Sequence, residues 1–528
     1  MMNNESKHEK EKENDVRMSN ILAAKSIADC VRTSLGPRGM DKMIQSGTGE
    51  LTVSNDGATI LKTLDVTHPC AKMLVDLSKA QDVDAGDGTT SVVILCGSLL
   101  KACEELLHKG IHPTQIIEGF RVASELANAH LQETMAIPVD VEGEKPPLVR
   151  AAITSLSSKV VAQNSDILAP MAVDAIRSIR KPSGDVDLRD VRIVKALGGT
   201  ADDTELLENG TAFRQKASTT AGGPTHVVDA KIALIQFQIS PPKTDMESSV
   251  TVSDYTQIDR AMKEERKYIL ELCRKIQKSG CNVLLIQKSI LRDAVSTLAL
   301  DFLAKMNIMI VTDIERAEIP FVSKCLGLLP ISHVDHITPE KLGRADLVSQ
   351  ESTFDGKLIR VKGIHLPAGT SPRAATVLIR GGNQFMLDET ERSFHDALCV
   401  VRSIAKKGAL IPGGSAAEIE VALHLGRKGR EMGGVLGYCV RAYADAFEII
   451  PYTLAENAGL NPIAIVTQLR RAHNEGHSSY GIDVRKGDIT DMVAQDVVQP
   501  FLVTHSAIRL ATECVSMILK IDDIVLTK

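Results

Sequence analysis

The sequence predicts a multidomain protein that combines helical parts with an α/β part, and three observations support this fold class. Its 528 residues are enough for about three domains of ordinary size. Apolar residues recur at helical spacing near both ends of the chain, from Asn20 to Leu35 and from Asp388 to Glu475. Between them, from Ala230 onward, strand-like runs alternate with helices, a pattern typical of a largely parallel sheet.

The first helical part is interrupted by turns. The sequence GPRG at residues 36–39 ends the first helix, and SNDG at residues 54–57 predicts a turn after a short strand from Glu50 to Val53. Two long helices flank the segment from Asp82 to Gly88. The chain up to about residue 148 is therefore predicted to be mainly helical.

The α/β part begins with five predicted elements. They are a strand at Ile232–Ile239, a helix at Tyr255–Lys278, a strand at Val283–Ile286, a helix at Ile290–Lys305 and a strand at Ile308–Val311. The polar segment from Pro241 to Ser253 is predicted to be an exposed excursion. Near the end of the chain, a glycine-containing hairpin is predicted from Gly481 to Asp491.

Composition limits the classes of function. With 61 basic and 67 acidic residues the net charge is −6, so we expect neither a nucleic acid nor an anionic membrane as partner. Only 3% of residues are aromatic, which predicts aliphatic cores and disfavours base stacking on single-stranded DNA. The longest apolar stretch, around Val92–Leu100, is about half as long as a membrane span.

The chain start and the cysteines indicate a cytoplasmic protein. The charged run from Met1 to Asp15 has no apolar core of a signal peptide and predicts a disordered tail. Ten cysteines are scattered without a C-x-x-C pair. We therefore expect reduced, mostly buried thiols and neither a disulfide framework nor a zinc site.

The loop GDGTTS at residues 86–91 has the ingredients of a phosphate site. Its glycines let backbone N–H groups approach an anion, and the following helix start favours negative charge. Asp87 can hold Mg²⁺ between phosphates. On its own the string also fits an ordinary turn with Thr89 as a helix cap. The P-loop string GxxxxGK[ST] does not occur, so a nucleotide site here is of another kind.

Other glycine turns and carboxylates give weaker signals on their own. The Gly36-Pro37 turn and the PGGS segment at residues 412–415 can touch a nucleotide or simply link helices. Asp56 and Asp396 are candidate catalytic carboxylates, although such residues more often cap turns or face solvent. His395 has no Ser or Cys partner in the sequence that would complete a hydrolase triad.

Four strings taken in order resemble the group II chaperonins. They are TSLGPRGMDKM at 33–43, NDGATIL at 55–61, GDGTTS at 86–91 and ERSFHDAL at 391–398. The likeness extends from about Val16 to Ile524 and includes TLAENAGL at 453–460. Two further strings, LIQFQISPPK at 234–243 and NVLLIQKSILRDA at 282–294, are similar to the delta subfamily of the eukaryotic TRiC/CCT complex.

The resemblance implies a discontinuous chaperonin subunit with a helical equatorial domain, a small intermediate α/β domain and an α/β apical domain with a helical protrusion. The implied segments are a tail at 1–15, equatorial 16–148 and 409–528, intermediate 149–212 and 374–408, and apical 213–373 with the protrusion at about 241–280. Gly198-Gly199 and Gly381-Gly382 are expected to be hinges between the apical and intermediate domains.

The resemblance also implies roles for individual residues. Asp396 is expected to position or deprotonate the attacking water, Asp56 to assist it, and Asp87 to ligate Mg²⁺. The implied nucleotide contacts are Gly36 and Pro37 at its border, Gly88, Thr89, Thr90 and Ser91 around the phosphates, Ser158 and Lys159 at the γ-phosphate, Gly414 near ribose or adenine, and Asp483 and Gln499 at the adenosine.

By resemblance, the chain is an ATP-dependent chaperone that uses ATP/ADP and Mg²⁺. It is expected to join other subunits in an eight-membered double ring that folds cytosolic proteins such as actin and tubulin, with prefoldin as a co-chaperone. Ser415 stands where the family commonly has a third glycine. This leaves open a ring subunit with weak or no ATP turnover that acts mainly in substrate binding and assembly. A small-molecule kinase is a second alternative, which the full-length likeness opposes.

Overall fold

The computed structural model forms two compact units. The first contains both ends of the chain, Met1–Val173 and Asp388–Lys528, and the second contains Asp174–Leu387. The division into three domains with the boundaries given above stays a prediction. The described residues are 2–45, 47, 49, 51–140, 143, 145–181, 184–219, 222–241, 254–289, 293–366 and 374–524, with residues 2–15 described as backbone only.

Helices dominate the first unit and strands the second. The described helices are α1 (Met2–Arg32), α2 (Gly57–Thr63), α3 (Pro69–Asp84), α4 (Thr89–His108), α5 (Pro113–His130), α6 (Pro146–Leu156), α7 (Ser165–Ile179), α8 (Tyr255–Lys278), α9 (Thr297–Lys305), α10 (Ile319–Leu326), α11 (Gln384–Lys407), α12 (Ala416–Met432), α13 (Gly434–Phe447), α14 (Ile449–Asn457), α15 (Pro462–Asn474) and α16 (Phe501–Leu519). The described strands are β1 (Lys42–Gln45), β2 (Leu51–Ser54), β3 (Ile137–Pro138), β4 (Val191–Leu197), β5 (Glu205–Leu207), β6 (Thr211–Phe213), β7 (His226–Ile235), β8 (Val283–Gln287), β9 (Met309–Ile314), β10 (Gly343–Thr353), β11 (Gly356–His365), β12 (Ala375–Gly381), β13 (Ala409–Pro412), β14 (Tyr480–Asp483), β15 (Asp488–Asp491) and β16 (Val498–Pro500).

Helix α4 lies in the middle of the first unit and packs against α1, α3, α13 and α16. Its buried side chains are mainly aliphatic, and the surrounding core consists mainly of Ala, Val, Ile and Leu. Among the few aromatic residues, Phe120 and Tyr443 pack edge to face with ring centroids 5.1 Å apart. The aliphatic core predicted from composition is confirmed, and its removal from water is the main force that holds the unit together.

Helix α16 is the one helix in the described ranges that is long and apolar enough to cross a membrane. Within the protein, 67% of its apolar window is buried. It packs against α3, α4 and α5. Its apolar character is therefore explained by its place in the core of the first unit.

The cysteines are free, as the sequence predicts. All ten are unpaired, and only Cys30 is exposed. Burial raises the pKa of buried thiols, and it raises the pKa of the Cys273 thiol to about 11. These side chains therefore remain protonated at neutral pH and behave as small apolar groups.

Helix α1 includes the segment for which the charged composition predicts a disordered tail. The helix begins at Met2, so that prediction is wrong for the described backbone of residues 2–15. Glu and Lys, which dominate this segment, are good helix formers. The segment also continues directly into the buried part of α1, so it extends an existing helix and needs no new nucleus.

Short strands accompany the helices of the first unit. Strand β13 lies between β16 and β3, and β1 with β2 and β14 with β15 form antiparallel pairs. The strand predicted at Glu50–Val53 and the hairpin predicted at Gly481–Asp491 are confirmed. The sequence predicts an uninterrupted helical part from Asp388 to Glu475, and this prediction is wrong at β13. Strand β13 pairs with another strand on each edge, and this pairing overrides the helical periodicity of the neighbouring segments.

The second unit contains a six-stranded sheet in the order β6-β11-β10-β7-β8-β9. Strands β7, β8 and β9 are parallel, as predicted, but β10 pairs antiparallel with both β7 and β11, and β11 pairs antiparallel with β6. The prediction of a largely parallel sheet is therefore wrong. Only a tight turn joins β10 to β11, and such a connection permits only antiparallel pairing.

Helix α8 has the bounds that its amphipathic pattern predicts, and Asp254 caps its start. Only Ile269, Cys273 and Ile276 of this helix are buried, and they pack in a core with α9. The preceding part of the predicted protrusion, residues 242–253, lies outside the described residues. Helix α9 begins at Thr297, later than predicted, because the Ser296 side chain caps it there.

The two glycine pairs predicted as hinges lie side by side at the ends of β4 and β12. These strands pair in parallel, and the Gly198 N–H donates a hydrogen bond of 2.9 Å to the Gly381 carbonyl. Gly198 and Gly199 have φ angles of 109° and 86°, a region that favours glycine. Their role as hinges stays a prediction.

Candidate functional site

Asp56 lies at the start of α2, in the turn that follows β2. Its carboxylate caps the helix, because it accepts hydrogen bonds from the backbone N–H groups of Ala58 (3.4 Å) and Thr59 (2.9 Å). It also accepts bonds from the hydroxyls of Thr59 (2.8 Å) and Thr89 (2.9 Å). One carboxylate thus both caps α2 and reaches the first residue of α4.

The loop between α3 and α4 has the backbone form that its glycines predict. Gly86 and Gly88 have φ angles of 72° and 75°, where side-chain-bearing residues are strained. A Cβ on Gly86 would also clash with the side chain of Cys399. The loop therefore turns directly into α4, whose start has no side-chain cap. The uncapped N–H groups of the first turn, which favour an anion, belong to Thr89, Thr90 and Ser91.

The side chain of Gln81 holds this loop in place, a role that was not predicted from the sequence. It is fully buried, and its amide nitrogen donates to the carbonyl oxygens of Asp87 (3.0 Å) and Val503 (3.2 Å). Its amide oxygen accepts from the Ser506 hydroxyl at 2.8 Å. The only sequence signal is a polar residue at a position where the helical period of α3 predicts an apolar one.

Lys159 lies between the two predicted catalytic carboxylates. Its Nζ is 2.8 Å from Asp396 Oδ2 and 4.0 Å from Asp56 Oδ1. The three side chains are 9%, 11% and 13% exposed, respectively. Three distant parts of the chain therefore bring two carboxylates and one cation together in a site with little water.

The pKa values of the two carboxylates in this cluster are shifted in opposite directions. Burial favours the protonated form of Asp56, but Lys159 and the hydrogen bonds from Thr59 and Thr89 outweigh it and lower its pKa. Burial raises the pKa of Asp396 well above its usual range, and Lys159 opposes this only in part. Asp56 is therefore held ionised, and Asp396 is the carboxylate that takes up a proton more readily.

Lys159 keeps its charge in spite of burial. Burial favours loss of its proton, but the negative charges of Asp396, Asp56 and Asp87 outweigh this and raise its pKa. The influence of Asp87 shows that the loop between α3 and α4 belongs to the same electrostatic cluster. Lys159 is thus the cation that balances this group of carboxylates.

Ser158 is held against the same turn as Asp56. The Asn55 side chain donates to the Ser158 carbonyl at 3.1 Å, which ties the segment after α6 to the start of α2. The Ser158 hydroxyl donates to the Ser155 carbonyl at 2.9 Å. Ser158 and Lys159 therefore both lie close to the carboxylates, as predicted. Of these two side chains, that of Lys159 contacts the carboxylates, whereas the Ser158 hydroxyl bonds to Ser155.

Glu389 is a further buried carboxylate at this cluster and was not predicted. It lies on α11 two turns before Asp396, is 3% exposed and pairs with Arg392 at 2.8 Å. Burial raises its pKa, while the charges of Arg392 and Lys159 oppose the rise. The spacing of seven residues from Asp396 places both on one face of the helix and is the signal that could have revealed it.

The Gly36-Pro37 turn follows α1 and is held by the TLAENAGL segment. Gly36 has a φ angle of 85°, and a Cβ there would clash with the side chain of Leu454. Asn457 donates to the carbonyls of Arg32 (3.1 Å) and Leu35 (2.9 Å), which satisfies the end of α1. The TLAENAGL segment thus holds the Gly36-Pro37 turn in place, and Asn457 is a third residue, after Gln81 and Glu389, that was not predicted from the sequence.

Gly414 lies between β13 and α12 and packs against the β14 strand. Its φ angle is 61°, and its carbonyl accepts a hydrogen bond of 2.9 Å from the Ile482 N–H. A Cβ on Gly414 would lie 2.7 Å from the sulfur of Met492. The close approach of two backbones here requires glycine at position 414.

Asp483 and Gln499 lie near this second loop, but their side chains make local bonds. Asp483 accepts from the N–H groups of Arg485 (2.9 Å) and Lys486 (3.1 Å), which closes the turn between β14 and β15. Gln499 lies on β16 opposite Ile411 and donates to the Thr504 hydroxyl at 3.0 Å. Their predicted adenosine contacts therefore stay a prediction.

Ser415 adopts a conformation that suits glycine better. Its φ angle is 62°, its side chain is buried, and the hydroxyl does not cap α12. Because left-handed backbone costs a side-chain-bearing residue about 1 kcal/mol, we expect Ser415→Gly to raise the free energy of unfolding by roughly that amount. Urea titration measures the change. Ser415→Ala, which keeps the strain, is the control, and an equal gain in both variants would contradict this explanation.

The predicted residues form two groups. Hydrogen bonds and charges connect Asp56, Asp87, Thr89, Lys159 and Asp396, whereas Gly414 belongs with the strands around β13. A cavity of about 730 Å³ lies elsewhere in the first unit, between α1, α4 and α13, and contains none of these residues. We therefore locate the site by its buried charges and anion-binding backbone and not by cavity size.

Comparison with known proteins gives a consistent assignment. The model of the TCP-1/cpn60 chaperonin family matches residues 27–528. The chain is 57% identical to T-complex protein 1 subunit delta of Arabidopsis thaliana over 513 residues, which cover 97% of this chain and 94% of that protein. The proteins of the same name from Caenorhabditis elegans and Homo sapiens are 57% and 54% identical, and each comparison covers 98% of this chain and 95% of the relative.

Each match spans nearly the whole length of both proteins, so the similarity extends along the whole chain and is not limited to one motif. The chain therefore belongs to the TCP-1/cpn60 chaperonin family, within its T-complex protein 1 delta branch.

Proposed function

We propose that this chain is an ATP-dependent chaperone subunit that hydrolyses ATP at the Lys159 cluster. The observation that carries the proposal is one buried lysine shared by Asp56 and Asp396, next to the uncapped start of α4. The helix start and the glycine loop supply donors for phosphate oxygens, and the carboxylates can orient water. These are the two functions that hydrolysis of a phosphoanhydride requires.

Lys159 connects binding to activation in this proposal. Its Nζ pairs with Asp396 at 2.8 Å. A terminal phosphate at the α4 start offers Lys159 a stronger anionic partner, and Asp396 then loses its ion pair. A carboxylate without that pair is a better proton acceptor. Asp396 is therefore activated when a triphosphate is bound.

Asp396 and Asp56 have different roles toward the attacking water. The raised pKa of Asp396 suits it to accept the proton of the water as the new P–O bond forms. Asp56 stays ionised, and its bonds to Thr59 and Thr89 fix its direction, so it orients the water. In this in-line attack the bond from the water oxygen to the γ-phosphorus forms while the bond from that phosphorus to the bridging oxygen breaks, so that ADP and phosphate leave. No covalent intermediate with the protein is needed.

The donor set also fits Mg²⁺. Within the described ranges no three His, Cys, Asp or Glu side chains could hold a metal by themselves, and Mg²⁺ commonly takes only one or two carboxylates beside phosphate oxygens. Asp87 is the residue that would hold it, because Gln81 fixes its backbone at the phosphate loop. When bound, Mg²⁺ neutralises phosphate charge.

Replacement of Asp87 by Asn tests this site directly. We expect the affinity for Mg·ADP to fall at least about tenfold, because the amide supplies no negative charge to the metal. The affinity for metal-free ADP, measured in EDTA, should not fall. Isothermal titration calorimetry on the purified chain measures both.

Asp84→Asn is the matched control for this variant. Asp84 ends α3, three residues earlier, and its charge pairs with Lys406. Equal losses of affinity with and without Mg²⁺ in Asp87→Asn would contradict the metal role, and the absence of Mg·ADP binding by the unaltered chain would contradict the nucleotide site.

We also propose that the chain works in the cytoplasm, in a double ring of eight subunits per ring with other chaperonin subunits. Its clients are unfolded proteins such as actin and tubulin, delivered by co-chaperones such as prefoldin. Exposed apolar side chains support contacts with other proteins. They include Met40, Met43 and Leu51 at the β1–β2 hairpin, and Tyr255, Ile258 and Met262 on α8.

A ring subunit with weak or no ATP turnover is the second candidate function. Its support is Ser415, whose strained backbone lies beside Gly414 on the predicted nucleotide loop. The buried charges of the Lys159 cluster oppose it, because burying charged groups is costly and such groups cluster at functional sites. The rate measurements on Asp396 variants in the Discussion distinguish the two functions.

A further inference from the structure

A cluster of histidines around one glutamate lies in the first unit, apart from the Lys159 cluster. Glu420, on α12, faces His130 Nε2 at 3.4 Å and His473 Nδ1 at 2.7 Å. The other ring nitrogen of His473 lies 2.8 Å from the carbonyl oxygen of Tyr480. His424, one turn after Glu420, stacks on His130 with ring centroids 3.8 Å apart. Helices α5, α12 and α15 and strand β14 meet at this cluster.

His473 is held at both of its ring nitrogens. The Tyr480 carbonyl can only accept a hydrogen bond. The Glu420 carboxylate is also an acceptor: burial would raise its pKa, but the bonds from His130 and His473 lower it to about 2, so it is ionised. The buried ring of His473 therefore bridges Glu420 and Tyr480 through its two nitrogens.

This bridge leads directly to the loop that contains Gly414. Tyr480 is the first residue of β14, and two residues later the Ile482 N–H donates to the Gly414 carbonyl at 2.9 Å. Between them, a Cβ on Gly481 would lie 2.8 Å from the carbonyl oxygens of both Gly413 and Gly414. Glu420 lies on the helix that starts just after this loop. The bridge thus ties β14 to α12, the elements on both sides of Gly414.

We propose that His473 is a positioning residue for the adenosine side of the nucleotide. Its hydrogen bond to Tyr480 sets the distance of β14 from Gly414, while its bond to Glu420 anchors the ring to α12. His473 itself does not touch the nucleotide and does not act on the reacting phosphate. The inference rests on the proposed function, because it assumes that Gly414 borders a bound nucleotide.

Two nearly isosteric substitutions each remove one of the two hydrogen bonds of His473 and keep the other. In His473→Asn the amide nitrogen replaces Nδ1 and keeps the bond to Glu420, whereas in His473→Gln it replaces Nε2 and keeps the bond to Tyr480. We expect the Asn variant to bind Mg·ADP about tenfold more weakly and the Gln variant at most about twofold more weakly. The rate of hydrolysis at saturating Mg·ATP should change in neither, so the effect appears in KM and not in kcat.

Two further variants complete the experiment. His424→Gln alters the same cluster without affecting the bridge and should leave the affinity for Mg·ADP unchanged. Gly481→Ala displaces β14 from the Gly413 and Gly414 carbonyls while His473 stays intact, and should weaken binding as much as His473→Asn. This second route to the same displacement tests the inference even if the Asn variant folds poorly.

The outcomes separate this inference from the proposed function. An unaltered chain that does not bind Mg·ADP overturns the proposed function. An unaltered chain that binds, together with His473→Asn or Gly481→Ala variants that bind equally well, overturns only the role of His473. Equal weakening by His473→Asn, His473→Gln and His424→Gln assigns the ring to packing alone and also overturns it.

Discussion

Replacement of Asp396 by Asn is expected to slow ATP hydrolysis at least about a hundredfold, because a positioned general base contributes about 10²–10⁴-fold to a reaction rate. The amide can still hydrogen-bond but cannot take the proton from water. The affinity for Mg·ADP should change less than about threefold, since Asp396 is not among the donors that face the phosphates. Single-turnover hydrolysis and calorimetry on the purified chain measure the two quantities separately.

His395→Gln is the matched control for Asp396→Asn. His395 precedes Asp396 on α11 and is exposed, with its Nδ1 3.6 Å from the Sγ of Cys399. Its variant should retain the rate of the unaltered chain. If Asp396→Asn hydrolyses ATP as fast as the unaltered chain, then Asp396 is not the base. If the unaltered chain binds Mg·ATP without hydrolysing it, the second candidate function is correct.

The pH dependence of hydrolysis provides an independent check on Asp396. A general base works only when it is deprotonated, so the rate falls as the pH decreases through its pKa. Burial and the neighbouring carboxylates raise the pKa of Asp396, so this fall should begin at a higher pH than for an ordinary aspartate. The residual rate of Asp396→Asn should lack the acid limb.

The sequence predicts the parts of the site that consist of local backbone form. Gly86, Gly88 and Gly414 all have the left-handed φ angles that their glycine turns indicate. Asp56 caps its helix, as a turn residue should, and this cap also directs the carboxylate toward Thr89. These features depend on a few adjacent residues, so short strings are sufficient to reveal them.

The sequence is less informative about contacts between distant segments. Gln81, Asn457 and His473 each bond to backbone carbonyls that fold close to them only in three dimensions. Each is a polar residue within an apparently ordinary helix, and nothing at its own position indicates a partner. The ion pair of Lys159 with Asp396 was not predicted, because the two residues are remote in the chain. The family resemblance implied only separate roles, Lys159 at the γ-phosphate and Asp396 at the attacking water.

The errors in the predicted fold have the same physical origin. The antiparallel strands β10 and β11 were not identified, so the sheet was assigned from the parallel strands alone. Strand β13 is only four residues long and forms because β16 and β3 pair with its two edges. Helix α8, by contrast, was predicted with its observed bounds, because its amphipathic pattern is complete within one segment.

Replacement of Lys159 by Met is expected to lower the free energy of unfolding at pH 7 by about 3 kcal/mol. Met fills a similar volume but leaves Asp56 and Asp396 buried without their cation, and an uncompensated buried charge is strongly destabilising. Urea titration of the purified chain, with and without the substitution, measures the loss. Lys25→Met, which removes a partly exposed partner of Glu104, is the control and should cost less than about 1 kcal/mol.

The pH dependence and a double variant show whether the loss comes from charge. Lys159 lowers the pKa of both carboxylates, so without it the folded-state pKa of Asp56 rises and that of Asp396, already above its usual value, rises further. The penalty is therefore present at neutral pH. It is relieved as the pH falls through the raised pKa values, because folding then favours proton uptake. The deficit relative to the unaltered chain should therefore shrink on acidification. Lys159→Met combined with Asp396→Asn should recover at least about half of the lost stability, since one of the two unpaired charges is gone. Strictly additive losses, or a deficit that does not depend on pH, would instead assign Lys159 to packing and would remove the electrostatic link between the phosphate loop and Asp396.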